Sequence, residues 1–159
     1  MGGNEKKYVE EAFDTNWIAP LGPNVDAFER ELGENVGSKA VLALNSGSAA
    51  IHLALQILNI RQNDVVLCQS FTFAASAFPI SYCNAKPVFI DSEPETWNMD
   101  PILLEQAIKE SISIGKKPAA IIVVHLYGMP AKLDAIVQIA THYQIPLIED
   151  AAESLGSLY

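Results

Sequence analysis

The stretch with the most chemical content is Glu149-Asp150-Ala151-Ala152-Glu153-Ser154-Leu155-Gly156. Two carboxylates directly follow the apolar run Pro146-Leu147-Ile148, where a charge is costly without a partner. If 146–149 is a strand, Glu149 and Asp150 point to opposite faces, and one of them can address a ligand at the strand end. Asp150 serving as a helix cap is an equally good local reading. A second candidate is Asn45-Ser46-Gly47-Ser48-Ala49-Ala50, small residues opening an apolar helix. Such a helix start offers free amides and the positive end of its dipole, which is a phosphate site in kind. Ser46 and Ser48 add hydroxyls, and either can instead cap the helix. No Gly-Lys-Ser/Thr follows and no G-x-G-x-x-G is present, so the stretch is neither a P-loop nor a dinucleotide fingerprint. A third is Gln69-Ser70-Phe71-Thr72-Phe73-Ala74-Ala75, where Phe71 and Phe73 can form a stacking surface for a planar ligand or pack in the core.

Other reactive types carry less. His125, in His125-Leu126-Tyr127-Gly128-Met129-Pro130, reads as a histidine satisfied by nearby backbone, because no matching Cys/His/Asp cluster exists. His52 and His142 read as structural. Cys68 and Cys83 sit in apolar settings without metal or redox spacing, as buried reduced thiols. No metal site is expected. The acidic loop at 91–98 reads as a solvated connection without chemistry, with Trp97 packed on the sheet layer.

The elements that must position these residues alternate. Apolar runs at 40–44, 65–68, 87–90, 119–124 and 146–149 read as buried strands. The runs 48–58, 74–83, 101–114 and 133–143 read as helices. Asp100-Pro101 gives a cap followed by proline at the first helical position. Leu133, Ile136, Val137 and Ala140 repeat at helical spacing. Upstream, Asn4 is placed to cap a helix over 5–13. Asn24 is placed to cap one carrying Val25, Phe28, Leu32 and Val36. Alternating strands and helices predict an α/β fold, three layers of helix, mostly parallel sheet and helix. In such sheets ligands bind beyond the carboxyl ends of the strands, where all three candidate stretches fall.

The bulk numbers narrow the function classes. Ten basic residues against nineteen acidic give a net charge of −9 over 159 residues, with no basic cluster. This argues against nucleic-acid binding by backbone neutralisation. No run approaches membrane-spanning length, and the first residues lack an apolar signal core. Lys6 stands where a myristoylation start wants Ser or Thr. The expectation is a cytoplasmic protein with neither nucleic acid nor membrane as partner.

Five segments in order resemble the DegT/StrS-type pyridoxal-phosphate-dependent nucleotide-sugar aminotransferases, within the fold-type-I aminotransferases. They are WIAPLGPNVDAF from Trp17, SGSAAIHLAL from Ser46, SFTFAASA from Ser70, HLYGMPA from His125 and EDAAESLG from Glu149. The resemblance implies pyridoxal 5′-phosphate (PLP) as cofactor. It implies that Gly47 and Ser48 bind its phosphate, Phe73 stacks on its ring and Asp150 pairs with the pyridinium nitrogen. Glu153 takes a position, often glutamine or histidine, that contacts the ring-hydroxyl side. It also implies amino transfer, with glutamate as expected donor, to a keto group of a nucleotide-linked deoxysugar in polysaccharide or glycan synthesis. The EDAAESLG stretch leans toward 4-amino-sugar enzymes of the bacillosamine or perosamine kind.

The same resemblance divides the chain into a helical segment at 1–39 and a partial PLP-binding large domain at 40–159. The cofactor-holding lysine of the family lies after the aspartate. Lys6, Lys7, Lys39, Lys86, Lys109, Lys116, Lys117 and Lys132 all precede Asp150, and none matches the family motif, so the catalytic lysine is expected to be absent from these residues. The remaining strands and a small C-terminal domain are expected beyond them. The 40–44 strand is then expected to pair with one of those later strands, leaving a gap and exposed edges in the sheet. The site is expected to lie at a homodimer interface, with the 17–23 loop reaching the neighbouring subunit. Two rivals remain. One is a sugar dehydratase of the same family. The other is a non-catalytic PLP-binding or regulatory protein on this fold. An ordinary nucleotide-binding α/β domain using the Gly47 helix start is a third and more distant reading.

Overall fold

The computed structural model describes residues 2–158. The chain divides into two compact units, one up to Asn45 and one from Ser46 onward. The first contains helices α1 (Glu5–Asp14) and α2 (Pro23–Val36). Helix α2 begins earlier than Asn24 predicts. Gly22 is its N-cap and Pro23 its first residue, where a fixed φ and a missing N–H carry no penalty. Gly22 is required on two counts. Its φ is +125°, and a Cβ there would come within 2.8 Å of the Trp17 ring.

The predicted strand at 40–44 does not form. Its backbone finds other partners: Ala43 N–H donates to Glu29 Oε1 at 2.7 Å, and Ser38 Oγ donates to the Ala40 carbonyl at 2.8 Å. Leu42 and Leu44 remain exposed. An apolar run becomes a strand only when a neighbouring strand completes the ladder.

The second unit holds a four-stranded, all-parallel sheet in the order β2-β1-β3-β4. The strands are β1 (Val65–Gln69), β2 (Lys86–Ile90), β3 (Ala120–Val124) and β4 (Leu147–Asp150). The two central strands, β1 and β3, are buried throughout, as continuous apolar runs in a doubly covered parallel sheet require. The edge strands β2 and β4 are only partly covered.

Alternation along the strands builds two cores. Leu67, Ile121 and Val123 pack on one face with Leu104 and Ile108 of α5 (Pro101–Ser113) and Ile136 and Ala140 of α6 (Leu133–Tyr143). Val66, Cys68 and Ile122 pack on the other with Ile51 and Leu55 of α3 (Gly47–Ile57) and Ile80 of α4 (Phe78–Tyr82). This is the expected helix/sheet/helix layering. Asp100 caps α5, its Oδ1 accepting from Ile102 N–H at 2.7 Å.

The helix expected over 74–83 is broken. A 3₁₀ turn covers Ala74–Ser76, and α4 begins at Phe78. Pro79 has no N–H for a bond four residues back, and its ring crowds that carbonyl, so one continuous helix cannot pass through it. This break places Thr72, Phe73 and Ser76 on a tight turn at the end of β1.

Candidate active site

The carboxyl ends of β1, β3 and β4 and the start of α3 surround a cavity of about 500 Å³. Gly47, Ser48, Phe73, Asp150 and Glu153 all line it, so the five residues that the family resemblance points to meet in one place. Thr72, Ser76, Val124, Leu126 and Tyr127, which were not singled out, complete much of the wall. No lysine lies among the lining residues.

The alternation rule separates the paired carboxylates as expected. Asp150 faces the α3/α4 side, where its Oδ2 accepts the Ser76 hydroxyl at 2.7 Å. Its Oδ1 accepts Ala152 N–H at 3.3 Å. Glu149 faces the other side and lies 3.3 Å from Nε2 of the buried His125. His125 Nδ1 accepts the Ala131 N–H at 3.0 Å, so in the neutral ring the proton sits on Nε2, toward Glu149. His125 therefore ties a loop to the sheet, as its sequence setting suggests. Asp150 caps no helix, since only turns follow it.

At the opposite wall, Ser46 and Ser48 divide two tasks. Ser46 caps α3, its Oγ accepting Ala49 N–H at 3.2 Å. Ser48 is left to face the cavity. Gly47 has no positive φ, and a Cβ there would meet nothing within 4 Å. Neither conformation nor packing demands glycine at this position. The missing side chain instead leaves the first amides of α3 open to close approach.

Phe73 precedes the 3₁₀ turn and is 80% exposed at the cavity rim. Phe71 behaves differently. It meets Trp97 and Tyr127 edge-to-face, with ring centroids 6.1 and 6.4 Å away. Trp97 is exposed with φ +62° and stacks there, not on the sheet layer as predicted. Glu153 Oε2 accepts the backbone N–H of Tyr127 at 2.7 Å.

Two polar clusters hold these walls, and sequence reasoning missed both. Gln69, fully buried, accepts the N–H groups of Met99 and Val124 on Oε1, each at 3.3 Å. Its amide donates to the Phe71 carbonyl at 2.7 Å. Asn98, also fully buried, accepts Leu126 N–H at 2.9 Å and donates to the Met129 carbonyl at 2.8 Å. The loop at 91–98 is thus no mere solvated connection. Its Glu93 is buried and accepts the N–H groups of Glu95 and Thr96, the Thr96 hydroxyl and Lys132 Nζ at 2.9 Å. Burial pushes the Glu93 carboxyl up, but these bonds outweigh it and bring it down to about 2. Behind Asp150, burial pushes the Cys68 thiol up to about 12, with the Asp150 charge adding to the effect. Among the described residues no group of three or more His, Cys, Asp or Glu side chains could hold a metal.

The model of the DegT/DnrJ/EryC1/StrS aminotransferase family matches residues 1–159. The chain belongs to that family. Among its relatives is EpsN of Bacillus subtilis, named for pyridoxal-phosphate-dependent aminotransfer, 57% identical over all of this chain and 41% of its own length. GDP-perosamine synthase of Caulobacter vibrioides is 39% identical over the same shares, 100% and 41%. Among solved structures, a DegT/DnrJ/EryC1/StrS aminotransferase from Brucella abortus superposes with a TM-score of 0.86 at 36% identity. The match covers 97% of this chain and 43% of that one. The chain thus spans about two fifths of the length of the family members it matches. Its α/β layering is that of the fold-type-I aminotransferases.

Proposed function

We propose that the protein containing these residues transfers an amino group to a keto group of a nucleotide-linked deoxysugar, with PLP as cofactor and glutamate as donor. One observation carries the reading. The open start of α3, the exposed ring of Phe73 and the carboxylate of Asp150 converge on one cavity of about 500 Å³. These are the three kinds of group that a phosphorylated, planar, cationic heterocycle needs. GDP-perosamine synthases and EpsN among the relatives support the sugar and the cofactor respectively.

When bound, PLP supplies an electron sink for charge developing at the amino-acid α-carbon. The chain's own residues would hold it in a productive pose. Gly47 lets the phosphate reach the first amides of α3, where the helix dipole favours an anion and the Ser48 hydroxyl adds a donor. Phe73 would cover one face of the ring. Asp150 would pair with the ring nitrogen and favour its protonated form. Glu153, held by its bond to the Tyr127 N–H, would take the ring-hydroxyl side. The lysine that holds the cofactor would come from elsewhere in the whole protein. In this reading residues 1–39 form a helical segment and residues 40–159 part of the PLP-binding large domain. The working unit would be a homodimer, and the product a 4-amino sugar.

The test is an absorbance spectrum of the full-length protein with PLP, before and after glutamate. A band shifted from that of free PLP by linkage to a lysine, converting to the pyridoxamine form with glutamate, supports the reading. Bound PLP that keeps the spectrum of the free aldehyde favours a lysine-less dehydratase or a non-catalytic relative. No binding at all overturns it.

A further inference from the structure

We infer that Ser76 is a positioning residue for the cofactor site. It fixes the Asp150 carboxylate and the Phe73 turn as one unit, and Thr72 sets the direction of its proton. The inference rests on the proposed PLP reading.

Ser76 is 1% exposed, yet among the described residues its hydroxyl hydrogen-bonds no backbone group. Its two contacts are both side chains: Asp150 Oδ2 at 2.7 Å and Thr72 Oγ1 at 2.9 Å. A serine hydroxyl has one proton. A carboxylate oxygen can only accept, so that proton points to Asp150. The Thr72 hydroxyl must then donate to Ser76. Protons therefore run in one direction, Thr72 to Ser76 to Asp150. Such a chain polarises each bond toward the charge at its end.

The backbone of Ser76 ties it to the same turn. Ser76 N–H donates to the Phe73 carbonyl at 3.0 Å, closing the turn that Phe73 opens. One residue thus joins the side chain at the ring edge to the turn that carries the side chain at the ring face. Asp150 is the last residue of β4, and its other oxygen has only a 3.3 Å bond to Ala152 N–H. Without Ser76 only that longer bond restrains its carboxylate about χ1 and χ2. A charge-assisted bond this short holds the rotamer, and site geometry is productive only when supporting groups do so.

The experiment uses the full-length protein, PLP labelled with ¹⁵N in the ring, and the variants Ser76→Ala, Ser76→Thr and Thr72→Val. Two quantities are read: PLP affinity, and the ¹⁵N shift of the ring nitrogen, which reports whether it carries a proton. In Ser76→Ala affinity falls on the order of tenfold, and the ¹⁵N signal moves toward the unprotonated position. Ser76→Thr restores both, and Thr72→Val moves both in the same direction by less. A folded Ser76→Ala protein with affinity within about twofold of wild type and an unmoved ¹⁵N signal overturns the inference, leaving the PLP reading intact. If Ser76→Ala does not fold, Thr72→Val decides on the same two readouts: a shift supports the inference and wild-type values overturn it. Wild-type protein that binds no PLP overturns both.

Discussion

The Glu153 carboxylate accepts the backbone N–H of Tyr127 at 2.7 Å, across 26 residues of sequence. Tyr127 has φ +54°, a conformation that costs a bulky residue free energy, and Gly128 follows at φ +81°. A Cβ on Gly128 would come within 3.1 Å of the Glu153 carbonyl. The bond therefore secures a strained turn in the cavity wall. Removing it with Glu153→Ala is expected to cost about 1–2 kcal/mol, whereas Glu153→Gln, which retains an acceptor, costs less. Urea unfolding of the full-length variants checks the order. Equal stability of the two variants would mean that the turn holds without this bond.

Asp150→Ala in the full-length protein is expected to lower transamination by a factor on the order of 10³ or more, equivalent to about 4 kcal/mol, with the fold retained. The side chain lies at the end of a strand, with Ser76 and the Ala152 amide as its partners. Steady-state turnover together with circular dichroism separates the two effects. Unchanged turnover would remove Asp150 from the site.

The acid limb of stability should depend on Glu93. Its folded carboxyl lies at about 2, against an ordinary 4.5. A group whose folded pKa is depressed contributes stability above its unfolded pKa, and that contribution is lost as pH falls through the folded value. The loss therefore falls between about pH 4.5 and pH 2. Glu93→Gln should flatten the stability profile in that window and lower the plateau above it. Unfolding curves from pH 2 to 7 test this; a mutant with the wild-type slope would show that other carboxylates set the acid limb.

How much of this was legible beforehand follows from what each feature depends on. The strands β1, β3 and β4 were readable because continuous apolar runs have few other uses. The opposite facing of Glu149 and Asp150 followed from strand geometry alone. The 40–44 run reads as a strand by its apolar character alone, and only the family resemblance warns that its ladder partner is expected outside these residues. The broken helix at 74–83 carried its own warning in Pro79. Gln69, Asn98 and Glu93 were not legible: their partners lie in other elements, and nothing local marks a polar residue as buried. Thr72 and Ser76 left a faint trace, two hydroxyls four residues apart beside an aromatic.

The two cysteines should differ in reactivity. Cys68 is fully buried, with burial and the Asp150 charge both disfavouring its thiolate, whereas Cys83 is half-buried and raised by burial alone. The thiolate is the reactive form. Iodoacetamide at pH 8 should therefore label Cys83 slowly and leave Cys68 unmodified until the protein unfolds, as read by peptide mass spectrometry. Early labelling of Cys68 in native protein would mean that the sheet opens locally behind Asp150.

Asn98 offers the sharpest test of how the cavity wall is held. It joins the loop after β2 to the turn after β3, accepting Leu126 N–H and donating to the Met129 carbonyl from a fully buried position. Asn98→Ala removes the partner of the buried Leu126 N–H and of the part-buried Met129 carbonyl. Each orphaned group costs about 1–3 kcal/mol, so the loss should lie in the lower half of about 2–6 kcal/mol, because the Met129 carbonyl is partly open to water. Asn98→Asp keeps the acceptor and the shape but removes the donor, and it adds a buried charge beside Gln69. It should therefore be no milder than alanine. Thermal and urea unfolding of both variants gives the comparison. A mild Asn98→Ala would indicate that water enters and replaces the side chain, and the Tyr127 wall would then be softer than its hydrogen bonds suggest.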